Sequence, residues 1–539
     1  QSQLTSRAPV TENLSSRSHQ LVEYLVDGNA VPSSSQRLAL EQRLGSSPTP
    51  NDIQARARTW LGEARRLMMA IPADDDESLP SEAALGQLLR DIEKRELAAP
   101  VEREPVSQLM PVLPTEGAIL RSQRAEDTRV TRFELVNGAV VSFRPARHGA
   151  ERAYLTVLPE TEPSGSGLPV ATPGNGEDAN VWNLNHAGQV VQRGGVGEWD
   201  APTLGRILAG KSPEVRLGQE LTATSLTEDL ELTLQLVHLY LTSPRRDPAA
   251  FESLLKELQL PASRQPFESA LLGDQSALES TTGASLDGAF RVHAQRYANA
   301  ARLQVVLVAD VEQGRLRWLV ERYFASLPGT DSGQATALAS SKMARESDGR
   351  ASRLPKRRVQ LVHVSGRPSR ETQVVLRFAG VATPSAEARV EFYALQTHLR
   401  RRLRERLREE LGGVYDVDVA GGWAGAGFWQ EIRFECKPEQ AQQLRDAARD
   451  LIAELSQKGL SDAELRSLVA GYTGTFPGAL RSDDFWYTEL VHAVREGADP
   501  RRILELPALV SRITAPNLRQ AAQRYLPLDN YVDAVWSAQ

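Results

Sequence analysis

The sequence predicts an α+β protein made of tandem homologous domains, each a mostly antiparallel sheet with helices packed on one face. Size is the first observation: 539 residues, 41% of them hydrophobic, can fill two or three cores, because most single domains span about 100 to 200 residues. The other two observations are a repeated helix-to-strand ending and two pairs of amphipathic helices. Together they define a repeating unit of roughly 200 residues.

The repeated ending is visible as short identical motifs. Residues 294–297 and 522–525 both spell AQRY, and an apolar segment typical of a strand follows each motif, at 301–310 and 530–538. An apolar helix end followed by glycine and then proline occurs at 490–500 and again at 21–32. The sequence therefore indicates three copies of the ending, the first within residues 1–75.

The two helix pairs have matching start and stop signals. The first pair is predicted at 227–240 and from Asp247 onward, with a break at Ser243 and Pro244, while the second starts near Pro438 and breaks at Gly459. Two capping boxes are predicted to mark helix starts: Ser225 with Glu228, and Ser461 with Glu464.

Strand signals open each unit. Asn137 and Gly138 predict a hairpin between strands at 129–136 and 139–144, and further strands are predicted at 358–364 and 372–379. Proline-rich, acidic or small polar stretches are typical of linkers. The predicted organisation is a partial domain at 1–75, a linker at 76–126, a domain at 127–328, a linker at 329–355 and a domain at 356–539.

The opening residues predict dependence on a neighbour. Residues 1–75 correspond to the last third of a unit, and a helix and strand without their sheet cannot bury their apolar faces. We therefore expect the missing sheet to come from elsewhere, either from the other part of a nicked precursor or from a separate subunit.

Composition excludes several classes of function. The net charge is −6, with 63 basic and 69 acidic side chains, so no basic surplus exists to bind nucleic acid. No segment approaches the run of about 18 apolar residues that a membrane-spanning helix needs. The single cysteine, Cys436, ends an apolar strand, and we expect it to be buried.

The histidines predict no metal site in this chain. None of the eight has a second histidine or a carboxylate at the spacing that holds zinc on one helix. We interpret His238 as a packing residue in an apolar helix and His186 as a polar residue near a helix start. Nucleophile elbows, phosphate-binding loops and dinucleotide fingerprints are also lacking, so the chain offers no complete catalytic constellation.

One segment, residues 398–422, suggests chemistry. Leucines recur every four residues from Leu399 to Leu411, and Gly412 with Gly413 then breaks the helix before an alternating strand. Arg408 and Tyr415 therefore flank a tight helix-to-strand corner. A guanidinium and a phenol held together can both donate hydrogen bonds to a carbonyl oxygen, which stabilises negative charge during peptide hydrolysis.

At this corner the sequence resembles the pitrilysin/insulinase family of zinc metallopeptidases, whose zinc motif is His-x-x-Glu-His. The matching words are ELVNG at 134–138, LGRILAGK at 204–211 and LREELGGVY at 407–415. Four homologous α+β domains in that family form two halves that close like a clam shell. The resemblance implies that residues 1–75, 127–328 and 356–539 are the end of the second domain, the third domain and the fourth domain.

The resemblance also implies a function for the corner. In the family, the C-terminal half supplies an arginine and, seven residues later, a tyrosine to the active site, and Arg408 and Tyr415 have this spacing. The zinc ligands are missing around 183–194, as is usual for this half. The chain is thus identified as a non-catalytic C-terminal half that binds peptide substrate and completes the active site of a zinc-bearing N-terminal half or partner.

Zinc is accordingly expected in the partner and not in this chain. Bacterial members similar to this sequence are often exported, which favours the periplasm over the cytoplasm. The alternative function is a scaffold or peptide-binding subunit of the same fold without peptidase work. Retention of Arg408 and Tyr415 favours the enzyme half.

Overall fold

The structure is a computed structural model that describes residues 108–147, 151–160, 181–259, 284–329 and 359–537, with gaps at 365–368, 370, 384 and 425–426. Nearer the start of the chain it describes 49–62, 80–94 and isolated residues between 18 and 43. The chain divides into two units, one of residues 1–107 with 209–211 and one of the remainder.

The first unit contains two described helices, α1 (Pro50–Gly62) and α2 (Glu82–Lys94). Thr49 caps α1 reciprocally with Asp52, because the Asp52 N–H donates to Thr49 Oγ1 at 3.2 Å and the Thr49 N–H donates to Asp52 Oδ2 at 2.8 Å. Trp60 is 68% exposed. The strand predicted after Trp60 lies outside the described residues, so the assignment of this segment to a partial domain stays a prediction.

The second unit begins with a seven-stranded sheet, whose first strand lies within the stretch interpreted as a linker. Its strands are β1 (Ile119–Ala125), β2 (Val130–Leu135), β3 (Val140–Pro145), β4 (Arg152–Pro159), β5 (Glu214–Leu217), β6 (Leu221–Leu226) and β7 (Leu303–Ala309). Their spatial order is β1-β2-β3-β7-β4-β6-β5, and only β3 and β7 pair in parallel. The predicted hairpin is confirmed: Gly138, with φ of 87°, turns β2 into β3.

Helices cover one face of this sheet. They are α3 (Val181–Gly194), α4 (Ala201–Ile207), α5 (Leu230–Thr242), α6 (Pro248–Gln259), α7 (Leu286–Tyr297) and α8 (Gln313–Tyr323). The break between α5 and α6 confirms the first predicted helix pair. The predicted capping box of Ser225 with Glu228 is wrong, because β6 runs through Leu226 and Ser225 is therefore a strand residue with a buried hydroxyl.

The second sheet repeats the first. Its strands are β8 (Val359–Val364), β9 (Thr372–Val381), β10 (Val414–Ala424), β11 (Gly427–Cys436) and β12 (Tyr531–Trp536). The order β8-β12-β9-β11-β10 matches β3-β7-β4-β6-β5 strand for strand, and the parallel pair β8 and β12 matches β3 and β7. Cys436 is buried, as predicted.

The helices of this second half are α9 (Ala386–Leu403), α10 (Ala441–Lys458), α11 (Asp462–Ala479), α12 (Asp483–Arg495), α13 (Leu506–Ser511) and α14 (Ala515–Tyr525). The predicted capping box at Ser461 and Glu464 is confirmed at the start of α11. Tyr297 and Tyr525, which end the two AQRY motifs, both end a helix and are both buried. The α+β class, with helices packed against two sheets, is confirmed.

Helix α12 joins the two sheets. Its buried residues Trp486 and Leu490 share a core with Val306 of β7, on the sheet face opposite α3–α8. Polar contacts fix the position: Tyr487 Oη lies 2.6 Å from Thr156 Oγ1, and Arg495 Nη2 lies 2.7 Å from Glu220 Oε1. The two sheets therefore pack as one body. Of the helices that the structure describes, none is both long and apolar enough to cross a bilayer.

Candidate functional site

The helix-to-strand corner begins with a π-helical turn. Helix α9 continues into a π turn at Arg404–Glu410, where the Leu411 N–H donates to the Arg406 carbonyl five residues earlier at 3.2 Å. An α-helix has about 3.6 residues per turn, so leucines spaced by four drift around its axis. The wider π turn reverses that drift, and Leu403 and Leu407 are both fully buried. The leucine spacing thus explains the turn that carries Arg408.

Two glycines make the sharp exit from this turn. Gly412 has φ of 59°, in the left-handed region that glycine adopts without strain. A Cβ at Gly413 would lie 2.6 Å from Cδ2 of Leu444, so a larger residue would have to displace that buried side chain where the corner packs against α10. The glycine pair holds the end of the π turn next to the start of β10.

Strand β10 is an edge strand, and its first residues are irregular. The pairing with β11 shifts between Val414 and Val417, so Tyr415 and Asp416 both face solvent. Bulges of this kind redirect a side chain and are common beside functional sites. Tyr415 is 87% exposed, whereas Val417 and Val419 point into the core.

The structure brings Arg408 and Tyr415 together. The guanidinium carbon of half-buried Arg408 lies 5.4 Å from the centroid of the Tyr415 ring, within the range of a cation–π contact. The proximity of the two residues is therefore observed, and their role toward a substrate stays a prediction.

Arg400 anchors the corner one helical turn before the π segment. Its guanidinium donates to the Val419 carbonyl and lies 3.7 Å from Asp418 Oδ1, so α9 is tied directly to the edge strand. The adjacent sheet surface is charged but paired: Glu431 contacts Arg433 at 2.9 Å and Arg377 at 3.6 Å. The corner therefore lies beside a polar strand surface whose charges are largely neutralised.

The imidazoles described in the first half of this unit serve packing. His238 Nδ1 lies 3.0 Å from the Tyr323 carbonyl, which confirms its interpretation as a packing residue. His186 lies inside α3, where its ring stacks on Trp182 and Nδ1 is 3.0 Å from the Trp182 carbonyl. Asn183, in the segment where zinc ligands are missing, instead accepts a hydrogen bond from the Ser285 N–H at 3.1 Å.

Zinc does not fit the residues that the structure describes. Across those residues, no three histidine, cysteine, aspartate or glutamate side chains converge as a metal site would require. His19 and His148 lie outside the described residues. We therefore derive no metal-dependent step within this chain.

The π turn and a cavity beside α11 were not predicted from the sequence. The spacing of four residues between successive leucines, from Leu399 to Leu411, was the available signal for the π turn. The cavity depends on how four helices pack, which no local pattern records.

The two matching sheets and their helices define a repeated α+β fold, which comparison with known proteins relates to proteases. The family model described as "Peptidase M16 inactive domain" matches residues 289–472. The probable zinc protease PqqL of Escherichia coli (strain K12) is 23% identical over 368 residues, which cover 64% of this chain and 38% of that protein.

Two solved structures share the fold. One is an E83A mutant of the ferredoxin protease FusC in complex with Arabidopsis ferredoxin, with a TM-score of 0.64 and 19% identity over 100% of this chain and 59% of that one. The other is the periplasmic protease PqqL from Escherichia coli, with a TM-score of 0.59 and 18% identity over 98% of this chain and 59% of that one. The chain spans less than two thirds of each relative.

The resemblance to the pitrilysin/insulinase peptidases, the M16 family, is thereby confirmed. Residues 289–472 match the model of the inactive M16 domain, and the chain is similar to a zinc protease at 23% identity.

Proposed function

We propose that this chain is the non-catalytic C-terminal half of a zinc metalloendopeptidase. It binds a peptide substrate and completes the active site of a zinc-bearing N-terminal half or partner subunit. The periplasmic relative supports a periplasmic location. The domain limits at 127–328 and 356–539 belong to the same proposal, with residues 1–75 as the C-terminal part of a further domain.

The proposal rests on one observation, the contact between Arg408 and Tyr415 at the helix-to-strand corner. A π turn, a left-handed glycine and a strand irregularity all coincide within residues 404–417. Each departs from regular geometry, and such departures cluster at functional sites. A chain with only a scaffold function has no evident need to hold an exposed tyrosine against an arginine here.

The proposed chemistry follows from the two hydrogen-bond donors, the Arg408 guanidinium and the Tyr415 hydroxyl. A peptide would lie along an edge strand of the partner, with its scissile carbonyl directed at the corner. Arg408 and Tyr415 would each donate a hydrogen bond to that carbonyl oxygen, and both bonds strengthen as negative charge develops on it. Zinc held by the partner would supply the activation of water.

Purification from the native host tests the partnership. We expect an affinity-tagged form of this chain to copurify with a chain that contains His-x-x-Glu-His, and the complex to contain stoichiometric zinc and to cleave peptides. Cleavage should stop when a chelator removes the zinc. A stable complex with no zinc-motif chain, or a monomer that hydrolyses peptides unaided, would contradict the proposal, and the former would support the scaffold alternative.

A further inference from the structure

A cavity lies among α9, α11, α12 and α13, in the second half of the larger unit. We propose that it binds a small uncharged aromatic molecule carrying one hydrogen-bonding group. The cavity volume is about 580 Å³. Pockets that bury small organic ligands measure about 300 to 1,000 Å³, so the space suits a molecule of that size.

The wall of the cavity is mostly apolar and partly aromatic. The side chains that give it this character are Tyr393, Leu468, Tyr472, Phe485, Leu506 and Val510. Aromatic rings pack against one another edge to face or in offset stacks, and each such pair is stabilising beyond the area it buries. A flat aromatic ligand would therefore gain both apolar burial and ring contacts.

The charges in the wall are already paired within the protein. Arg389 lies 3.4 Å from Glu489 and 2.7 Å from Glu496, and Arg401 lies 3.8 Å from Glu464. A charged ligand would have to be desolvated without a free counterion, which is costly. The pairing therefore selects an uncharged ligand.

His398 supplies the polar contact. Its residue is only 2% exposed, it lines the cavity, and its Nε2 atom makes no hydrogen bond within the described structure. The nearest ion-pair partner found, Glu464 Oε1, is 3.9 Å away, beyond hydrogen-bonding range. A buried nitrogen without a partner is destabilising, so a ligand hydroxyl or N–H that reached it would be favoured.

Helix α11 offers matched positions for a test. Gly471 lines the cavity, and a Cβ built there meets nothing within 4 Å. Gly474 is equally unobstructed on the same helix but does not line the cavity. Leucine at either position should stabilise the helix similarly, because glycine is the weaker helix former. Only leucine at 471 should fill the cavity.

N-phenylnaphthylamine is a suitable probe, since it is uncharged, aromatic, carries one N–H and fluoresces when desolvated. We expect the full chain to bind it, Gly471→Leu to weaken binding by about tenfold or more, and Gly474→Leu to change it by less than about twofold. The anionic counterpart, anilinonaphthalene sulfonate, should bind more weakly than the uncharged probe.

Ser467→Leu, one turn earlier on the cavity-lining face, provides a second blocking variant if Gly471→Leu does not fold. Thermal unfolding should confirm that each variant used is folded. Absence of binding by the unmodified chain would overturn the proposal, as would equal binding by the Gly471→Leu and Gly474→Leu variants or a preference for the anionic probe.

Discussion

Two histidines of the second half, the buried His398 and the half-buried His492, are held in the uncharged form. Burial, opposed by the Glu464 carboxylate and reinforced by Arg401 and Arg402, lowers the pKa of His398 to about 4. Burial and the nearby Arg389 and Arg495 lower the pKa of His492 to about 3. Neither imidazole is therefore charged at neutral pH in the folded chain.

Acid should consequently destabilise the protein through these residues. The ordinary histidine pKa is 6.5, so the unfolded chain binds protons between pH 6.5 and about 4 that the folded chain does not bind. Stability is therefore complete above pH 6.5 and falls as the pH drops toward 4. For His398 alone, the loss between pH 7 and pH 5 should be about 2 kcal/mol.

The His398→Gln variant isolates this contribution. Glutamine does not titrate, so the free energy of unfolding of the variant, measured by denaturant titration at pH 7 and pH 5, should depend less on pH than that of the unmodified chain. His492 remains in both proteins and serves as the common background. An identical pH dependence in the two proteins would show that His398 is accessible to protons in the folded state.

At the scale of single elements, the corner depends on backbone geometry that side chains alone cannot supply. The Gly412 N–H donates to the Arg408 carbonyl at 3.1 Å, and the Gly413 N–H donates to the Leu407 carbonyl at 3.0 Å. These bonds close the π turn and aim the chain into β10. The left-handed conformation of Gly412 is what allows both bonds to form.

Gly412→Ala should therefore weaken the corner. A Cβ at this position meets no atom within 4 Å, so the expected loss in the free energy of unfolding, about 1 to 2 kcal/mol, comes from the left-handed backbone and not from a steric clash. Gly474→Ala, inside α11 and without a left-handed backbone, should instead stabilise the chain by up to about 1 kcal/mol. A Gly412→Ala variant as stable as the unmodified chain would contradict this account of the turn.

Local signals predicted most of these elements. The Asn137 and Gly138 turn, the break at Gly459 and the Ser461 cap all succeed because each satisfies its own backbone groups with neighbouring residues. The Ser225 cap fails because ladder pairing with β4 extends β6 beyond the serine. Sheet pairing is a long-range interaction, and it overrides a local capping signal.

The candidate site was predicted only in part, because one of its features depends on local sequence and another on sheet pairing. A spacing of seven residues across a glycine pair indicated that Arg408 and Tyr415 would be neighbours, and their side chains do meet. The strand irregularity that exposes Tyr415 depends on the register between β10 and β11, which the sequence of either strand alone does not fix. Neither the residue spacing nor the strand register indicates how the pair acts on a substrate.

At the scale of the molecule, the repeat is a repeat of topology. The last strand of each copy, β7 or β12, inserts between the first two of the matching strands and pairs in parallel with the first. A parallel pair requires a long crossover connection, which explains why the AQRY helices and their strands lie so far along each copy. The AQRY motif therefore precedes the strand that completes each sheet.

The contacts made by α12 hold the two sheets in a fixed relative position. Arg144 of the first sheet is buried beside Asp483, 3.6 Å away, and stacks on Trp486 at 4.0 Å from the ring centroid. Burial lowers the pKa of Arg144 to about 10, which still leaves it charged at neutral pH. The interface is therefore a packed one with a buried ion pair, and it holds the corner of the second sheet in a fixed position relative to the first sheet.

Turnover by the assembled peptidase tests the central proposal most directly. With the zinc-bearing partner present, we expect Arg408→Ala and Tyr415→Phe each to lower kcat by about 100-fold, because each removes a donor to the developing oxyanion. Arg406→Ala is the matched control, since Arg406 lies on the same π turn but pairs with Glu410 at the surface. Zinc content and association with the partner should be unchanged in all three variants. If the Arg408 and Tyr415 variants instead turn over peptide as fast as the Arg406 control, the corner has no part in hydrolysis.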